Sequence, residues 1–203
     1  MKRSFNLVLA AAGSTTLMAA ALTAQVGGES TLSQAETEGL KFMREEEKLA
    51  RDVYHFLAEK WGDRPFGNIA QSEQTHMDAV KTLLDRHAIA DPASPKPGDF
   101  NNPDLQKLYD DFVKRGRTSR IEALKVGATI EDLDLYDLAR WQEKTTASDV
   151  RQVFSNLERG SRNHLRSFVS VMRRQGVTYK PQFLTQAEFD KIIDSPMERG
   201  RGF

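Results

Sequence analysis

Glu73-Gln74-Thr75-His76 places a carboxylate and an imidazole three residues apart. On a helix the two groups share a face and can reach the same metal ion. A Glu-x-x-His quartet is common by itself, and a surface acid beside a hydrogen-bonded histidine explains most occurrences. Position raises its weight here: Glu73 follows Ile69-Ala70, His76 precedes Met77, and Val80 stands a turn further on, so both groups border an apolar stripe. Three other stretches offer partners. In Glu45-Glu46-Glu47, a run in which at least one acid should face water, Glu47 falls on the line Leu40, Met43, Ala50, Tyr54, Leu57, and Glu46 takes the matching slot on the neighbouring line. Glu131 and Asp134 stand three apart near Gly127 and Ala128, small residues that let helices approach closely. The competing reading there is an exposed acidic face, since Asp132 and Asp137 share the run and all four should not point inward. His164 lies beside Leu165 and Phe168 on a fourth apolar face. An unpaired carboxylate in a core slot is costly or becomes protonated. Acids and imidazoles in the middle of four apolar faces therefore point to a shared cation. The chain has no cysteine, which excludes disulfides, thiolate zinc, iron–sulfur clusters and thiol nucleophiles and leaves Asp, Glu and His as ligands. Such a set suits iron or manganese better than copper.

The elements that must carry these groups are helices. Leu40, Met43, Ala50, Leu57 and Trp61 keep helical time beside a second line of Phe42, Leu49, Val53 and Phe56, which predicts a helix from Leu32 to Trp61 stopped by Gly62-Asp63-Arg64-Pro65. A second helix is expected from about Phe66 to Ala90, stopped by Asp91-Pro92. A turn-rich connection follows to Pro103, then a short amphipathic helix from Leu105 to Gly116. Ser119–Glu143 and Thr146–Gln175 read as the third and fourth long helices, and Thr185 with Glu188 forms a capping box for a last short one. No stretch alternates like a strand. Two helices, a long crossover and two more helices is the order of ferritin-like four-helix bundles, here with short extra helices, so the expected class is all-α.

With 203 residues, 29% of them charged, and a mean hydropathy of -0.56, the chain reads as one soluble domain with room for a core. Its first residues differ. Lys2-Arg3, an apolar run from Phe5 to Ala12, a small polar break and Leu17 to Ala24 read as a signal peptide over 1–24, with 25–34 a flexible lead, 35–182 the bundle and 183–203 the last helix and tail. Cleavage would place the protein in the periplasm or outside the cell, with no stable membrane insertion. It would remove Lys2 and Arg3 and no acid, turning 29 bases against 29 acids into 27 against 29. No basic stripe suits nucleic acid.

Met43 to Tyr54 (MREEEKLARDVY), Asn68 to Val80 (NIAQSEQTHMDAV), Val126-Gly127-Ala128 and Gly160 to Arg166 (GSRNHLR) closely resemble an uncharacterised ferritin-like family, domain of unknown function 2202, and the likeness runs from roughly Gly39 to Pro181. More distantly the chain is similar to rubrerythrins. Their Glu followed by Ala, Arg and Tyr three, four and seven residues on matches Glu47, Ala50, Arg51 and Tyr54, which selects Glu47 over Glu46. Their second helix matches Phe66, Ile69-Ala70, Glu73 and His76.

The resemblance implies a di-iron or related dinuclear carboxylate site reacting with oxygen or peroxide. Glu47, Glu73, His76, Glu131 and His164 would be the ligands, and Arg51, Tyr54 and Asn163 would orient them. Such bundles take a Glu-x-x-His from each of two helices. This chain has Ser161 where the second of those acids should stand. A second carboxylate must come from Asp134 or from Glu158; Asp134 is favoured because Glu158 lies six residues from His164 and points elsewhere. The expected function is a non-haem iron or manganese oxidoreductase or ferroxidase acting on oxygen, peroxide or ferrous iron, holding two ions or one. A homodimer is compatible with this reading. The alternative is a non-catalytic metal-binding or structural helical module, and a storage cage is a weaker third option.

Overall fold

The structure, a computed structural model, describes residues 31–200. The expected signal peptide and residues 25–30 of the lead lie outside the described residues. Among those described there are six helices and no strand: α1 Gln34–Trp61, α2 Arg64–Arg86, α3 Pro103–Gly116, α4 Arg120–Glu143, α5 Ser148–Arg173 and α6 Gln186–Ile193. None is long and apolar enough to cross a membrane.

Local chemistry sets the ends. Ser33 and Glu36 form a capping box at the start of α1. The other oxygen of Glu36 accepts the amides of Thr146 and Ala147 at 2.7 and 2.8 Å, so one carboxylate caps both α1 and α5. Burial would raise the pKa of Glu36, but these amides and that of Ser33 hold it down to about 2. α1 ends at Gly62 in the left-handed region, φ 68°. Arg64 and Pro65, expected as part of the break, instead open α2, because proline fits a first helical turn without losing a bond. α2 stops short of the expected Ala90. Ala88 turns left-handed at φ 53°, its amide bonds to Asp85 and that of Ile89 to Leu84. This closing motif is stabilised by Ile89, which packs on the core below. The expected capping box of α6 forms, with Thr185 and Glu188 each bonding the other's backbone amide.

α1 pairs with α2 and α4 with α5; α1 also packs on α4 and α2 on α5, closing a four-helix bundle. The crossover from α2 to α4 carries α3, which covers α1 and α4, and α6 lies on α5. Each long helix contributes to two apolar clusters. One holds Tyr54, Phe66, Leu124 and Phe168; the other holds Met43, Leu83, Leu138 and Phe154. In sequence, Glu46 and Glu47, Glu73 and His76, and Ser161 and His164 fall between the two sets, and Glu131 and Asp134 lie between Leu124 and Leu138. A polar layer thus divides two dry cores.

Candidate metal centre

Glu73 is the centre of that layer. From α2 its Oε2 lies 2.7 Å from His76 Nδ1, and the same nitrogen is 3.2 Å from Glu47 Oε2 on α1. Its Oε1 lies 2.8 Å from His164 Nδ1 on α5, which is 3.5 Å from Glu131 Oε2 on α4. Two sets of three converging donors result, Glu47, Glu73 and His76 and then Glu73, Glu131 and His164, each with its ligand atoms within 4.8 Å of one another. Glu73 is common to both. The imidazoles stack, with centroids 5.6 Å apart.

These five residues are buried, and the layer is not satisfied internally. Glu47 Oε1, Glu73 Oε1, Asp134 Oδ1 and His164 Nδ1 have no hydrogen-bond partner. His164 Nδ1 and Glu73 Oε1 approach closely yet lack the alignment of a hydrogen bond. Both oxygens of Glu46 on α1 are orphaned as well, so each of the four long helices contributes at least one such atom. Nearly all buried polar groups are paired in folded proteins. Oxygen and imidazole nitrogen around a common point, separated by about 3–4 Å, are what first-row metals with bonds of about 2–2.2 Å accept. The residues therefore fit a dinuclear site.

Electrostatics agree. Burial, partly offset by His76, pushes the Glu47 carboxyl up to about 7. Burial together with Glu47 and Glu131 pushes Asp134 well up, and burial raises Glu131. Glu73 is the exception: His164 and His76 outweigh its burial and hold it ionised. Burial would depress the imidazoles, but Glu73 and Glu131 raise His164 to about 10, and Glu47 and Glu73 raise His76. Protons hold together what a cation would otherwise neutralise.

Asp134, favoured as the second carboxylate, belongs to neither set of three but is buried nearby with one oxygen bonded by Ser161 Oγ. Ser161 stands where the resemblance leads one to expect a carboxylate, and its hydroxyl instead turns an acid from α4 toward the centre. Glu158, the other candidate, faces outward to Arg162 and Gln142. The Tyr54 hydroxyl lies 2.5 Å from Glu131 Oε1 and 3.1 Å from the Gly127 carbonyl, so it holds a candidate ligand. Arg51 does not: it bonds Asp52 and Gln74. Nor does Asn163, which exchanges hydrogen bonds with the backbone of Glu198 in the tail.

Two expectations need correcting. None of Glu45, Glu46 and Glu47 is solvated. Glu45 accepts the amides of Asn101 and Asn102 from the crossover, and Glu46 turns toward α4. Glu131, Asp132, Asp134 and Asp137 are all buried, because α4 is covered on more than one side: Asp132 accepts the Tyr179 hydroxyl and the amides of Gln182, Phe183 and Leu184. His87, at the end of α2, meets Asp149 of α5 at 2.9 Å.

Residue spacing did not reveal Ser72, whose hydroxyl lies 3.1 Å from His164 Nε2 and so leaves Nδ1 to the carboxylates. It also did not reveal Gly160. A Cβ there would stand 2.5 Å from His76 Cε1, so only glycine leaves room for the imidazole. The nearest signal was local: each precedes a candidate ligand segment in the chain.

An all-α four-helix bundle with buried carboxylates and imidazoles between two apolar cores is the class that fold and site define. Residues 36–196 match the family described as uncharacterized protein domain DUF2202, and the chain belongs to that family. It is 52% identical over 170 residues to uncharacterized protein MJ0754 of Methanocaldococcus jannaschii, covering 83% of this chain and 92% of that one. The crystal structure of hypothetical protein MJ0754 from Methanococcus jannaschii superposes with a TM-score of 0.81 at 51% identity, covering 82% of this chain and 96% of the other.

Proposed function

We propose that this protein holds two iron or manganese ions between its four long helices and uses them as a non-haem oxidoreductase or ferroxidase centre acting on oxygen, peroxide or ferrous iron. The observation that carries the reading is the pair of buried donor sets, Glu47, Glu73 and His76 and then Glu73, Glu131 and His164, which share Glu73 and include orphaned ligand atoms. Bound metal would supply one-electron redox chemistry; the chain supplies the rest. Glu47, Glu73 and His76 would hold one ion and Glu73, Glu131 and His164 the other, and Asp134, bonded by Ser161, would be the further carboxylate on hand. Tyr54 holds Glu131, Ser72 sets the orientation of His164, and the apolar clusters on both sides keep water out. The rubrerythrin-like spacing of Glu47, Ala50, Arg51 and Tyr54 adds to the reading. The pattern of Lys2-Arg3 and the apolar runs to Ala24 supports export, with the protein working in the periplasm or outside the cell.

The second reading, a helical module with one ion and no turnover, draws on Ser161, which replaces a carboxylate ligand with a hydroxyl. Elemental analysis after anaerobic loading with ferrous iron separates the two. Two ions per chain, lost on His76→Ala and kept on His55→Ala at the exposed neighbour of Tyr54, are expected. One ion per chain, or full metal in His76→Ala, would overturn the dinuclear reading. Oxygen uptake by the loaded protein then tells catalyst from module.

A further inference from the structure

Beside the dinuclear layer lies a set of carboxylates that it does not use. Glu46 on α1 is 2% exposed, and neither of its oxygens has a hydrogen-bond partner. The charges nearest it are all acids: Asp134 and Asp137 of α4 and its neighbour Glu47. Asp137 stands one turn beyond Asp134 on α4, is held at the edge of the bundle by Arg140 Nη1 at 3.1 Å, and that arginine is more than half exposed. Asp134 keeps one oxygen unpartnered, and Glu47 and Glu131 are the acids whose charges act on it most strongly. A line of acids thus runs from a surface arginine through Asp137, Glu46 and Asp134 to the ligands.

A structural role does not account for Glu46. The other buried acids of α1 and α4 outside the metal layer accept donors: Glu45 two amides, Asp52 the Lys48 ammonium and Asp132 a hydroxyl and three amides. Glu46 has no such donor, and the charges that act on it most strongly are carboxylates, which favours a cation among them.

We propose that Asp137, Glu46 and Asp134 form the uptake route by which a divalent cation passes from solvent to the dinuclear centre, with Glu46 as the way-station. The proposal rests on the dinuclear reading above. All its ligands are oxygens, which suits a hard or borderline divalent ion that arrives partly hydrated and exchanges its waters stepwise. The two imidazoles lie only at the end of the line, where binding becomes tight. Arg140 at the mouth competes with the incoming ion for Asp137 and so brakes uptake.

The test follows metal-free, full-length protein mixed with Co(II), whose absorption in the visible reports binding without any redox step. Expected for Glu46→Gln and Asp137→Asn is a loading rate lower by about tenfold or more, as for loss of charges that gather a cation, with final stoichiometry equal to wild type. Arg140→Gln, a surface change, should load severalfold faster. Circular dichroism checks that each variant folds; if Glu46→Gln does not, Asp137→Asn and Arg140→Gln decide. Wild-type rates in the folded variants would overturn the route and leave the centre standing. An unmutated protein that binds no Co(II) would overturn the centre itself and the route with it.

Discussion

Gly160 exerts its influence on the centre by having no side chain. A Cβ would meet His76 at 2.5 Å from Cε1 and 2.6 Å from Nε2, and α5 cannot retreat because Leu157 and Phe154 on the same helix are fully buried. Gly160→Ala therefore moves the imidazole rather than the helix. Alanine is better by about 0.5–1 kcal/mol in a helix interior. The variant should thus keep or raise the melting temperature of the metal-free protein while its metal affinity drops by about 10–100-fold, the range seen when a group that orients a ligand is lost. Unchanged affinity in a titration with ferrous iron would show that His76 does not ligate from this position. Histidines elsewhere divide by partner: His55 is exposed and a fair control, whereas His87 pairs with Asp149 and Arg86 pairs with the same acid, so His87→Ala is a poor one.

At the scale of elements, the outer side of α1 clamps the crossover that joins the two helical hairpins. Lys48 is 1% exposed; its ammonium donates to Asp52 at 2.7 Å and to the carbonyls of Lys96 and Asp99, and it sits 4.2 Å over the Phe100 ring. Asp52 in turn accepts the Gly98 amide, Glu45 accepts those of Asn101 and Asn102, and Arg44 holds Asp91. The run Arg44 to Asp52 thus binds a long connection by buried charge. Removing one partner of a buried ion pair leaves the other unneutralised, at a cost of about 3–5 kcal/mol. Lys48→Met should fall near the lower bound, about 3 kcal/mol, since Arg51 and Gly98 still serve Asp52. Urea unfolding would measure the loss, and limited proteolysis should cut within residues 91–102. A midpoint equal to wild type would mean that the clamp contributes little.

For the molecule as a whole, the polar layer sets how stability changes with pH. Glu47 at about 7 and His164 at about 10 are both raised above their unfolded values of about 4.3 and 6.5. The folded metal-free chain therefore binds more protons than the unfolded one between about pH 4.3 and 7 at Glu47 and between about pH 6.5 and 10 at His164, and by linkage it loses stability as pH rises through each window. Metal takes the place of those protons, so its stabilising effect should grow with pH. The expected result is a gap in melting temperature between loaded and chelator-treated protein that widens from about pH 5 to about pH 8. A gap that narrows over that range would contradict the ionisation described here. Sequence alone determined the helices and their inward faces, because the period of an amphipathic helix and the chemistry of its caps are local. It also placed Glu47, Glu73, His76, Glu131 and His164 on those faces. Tertiary structure alone decided which acid meets which partner: that Ser161 turns Asp134, that Ser72 meets His164, that Asn163 serves the tail, and that Glu45 and Asp132 are buried on faces the pattern assigned to water. The reason is that a crossover and a tail covered those faces through backbone amides, and an amide that will donate to a buried carboxylate leaves no mark in the side-chain pattern of the helix that supplies the acid.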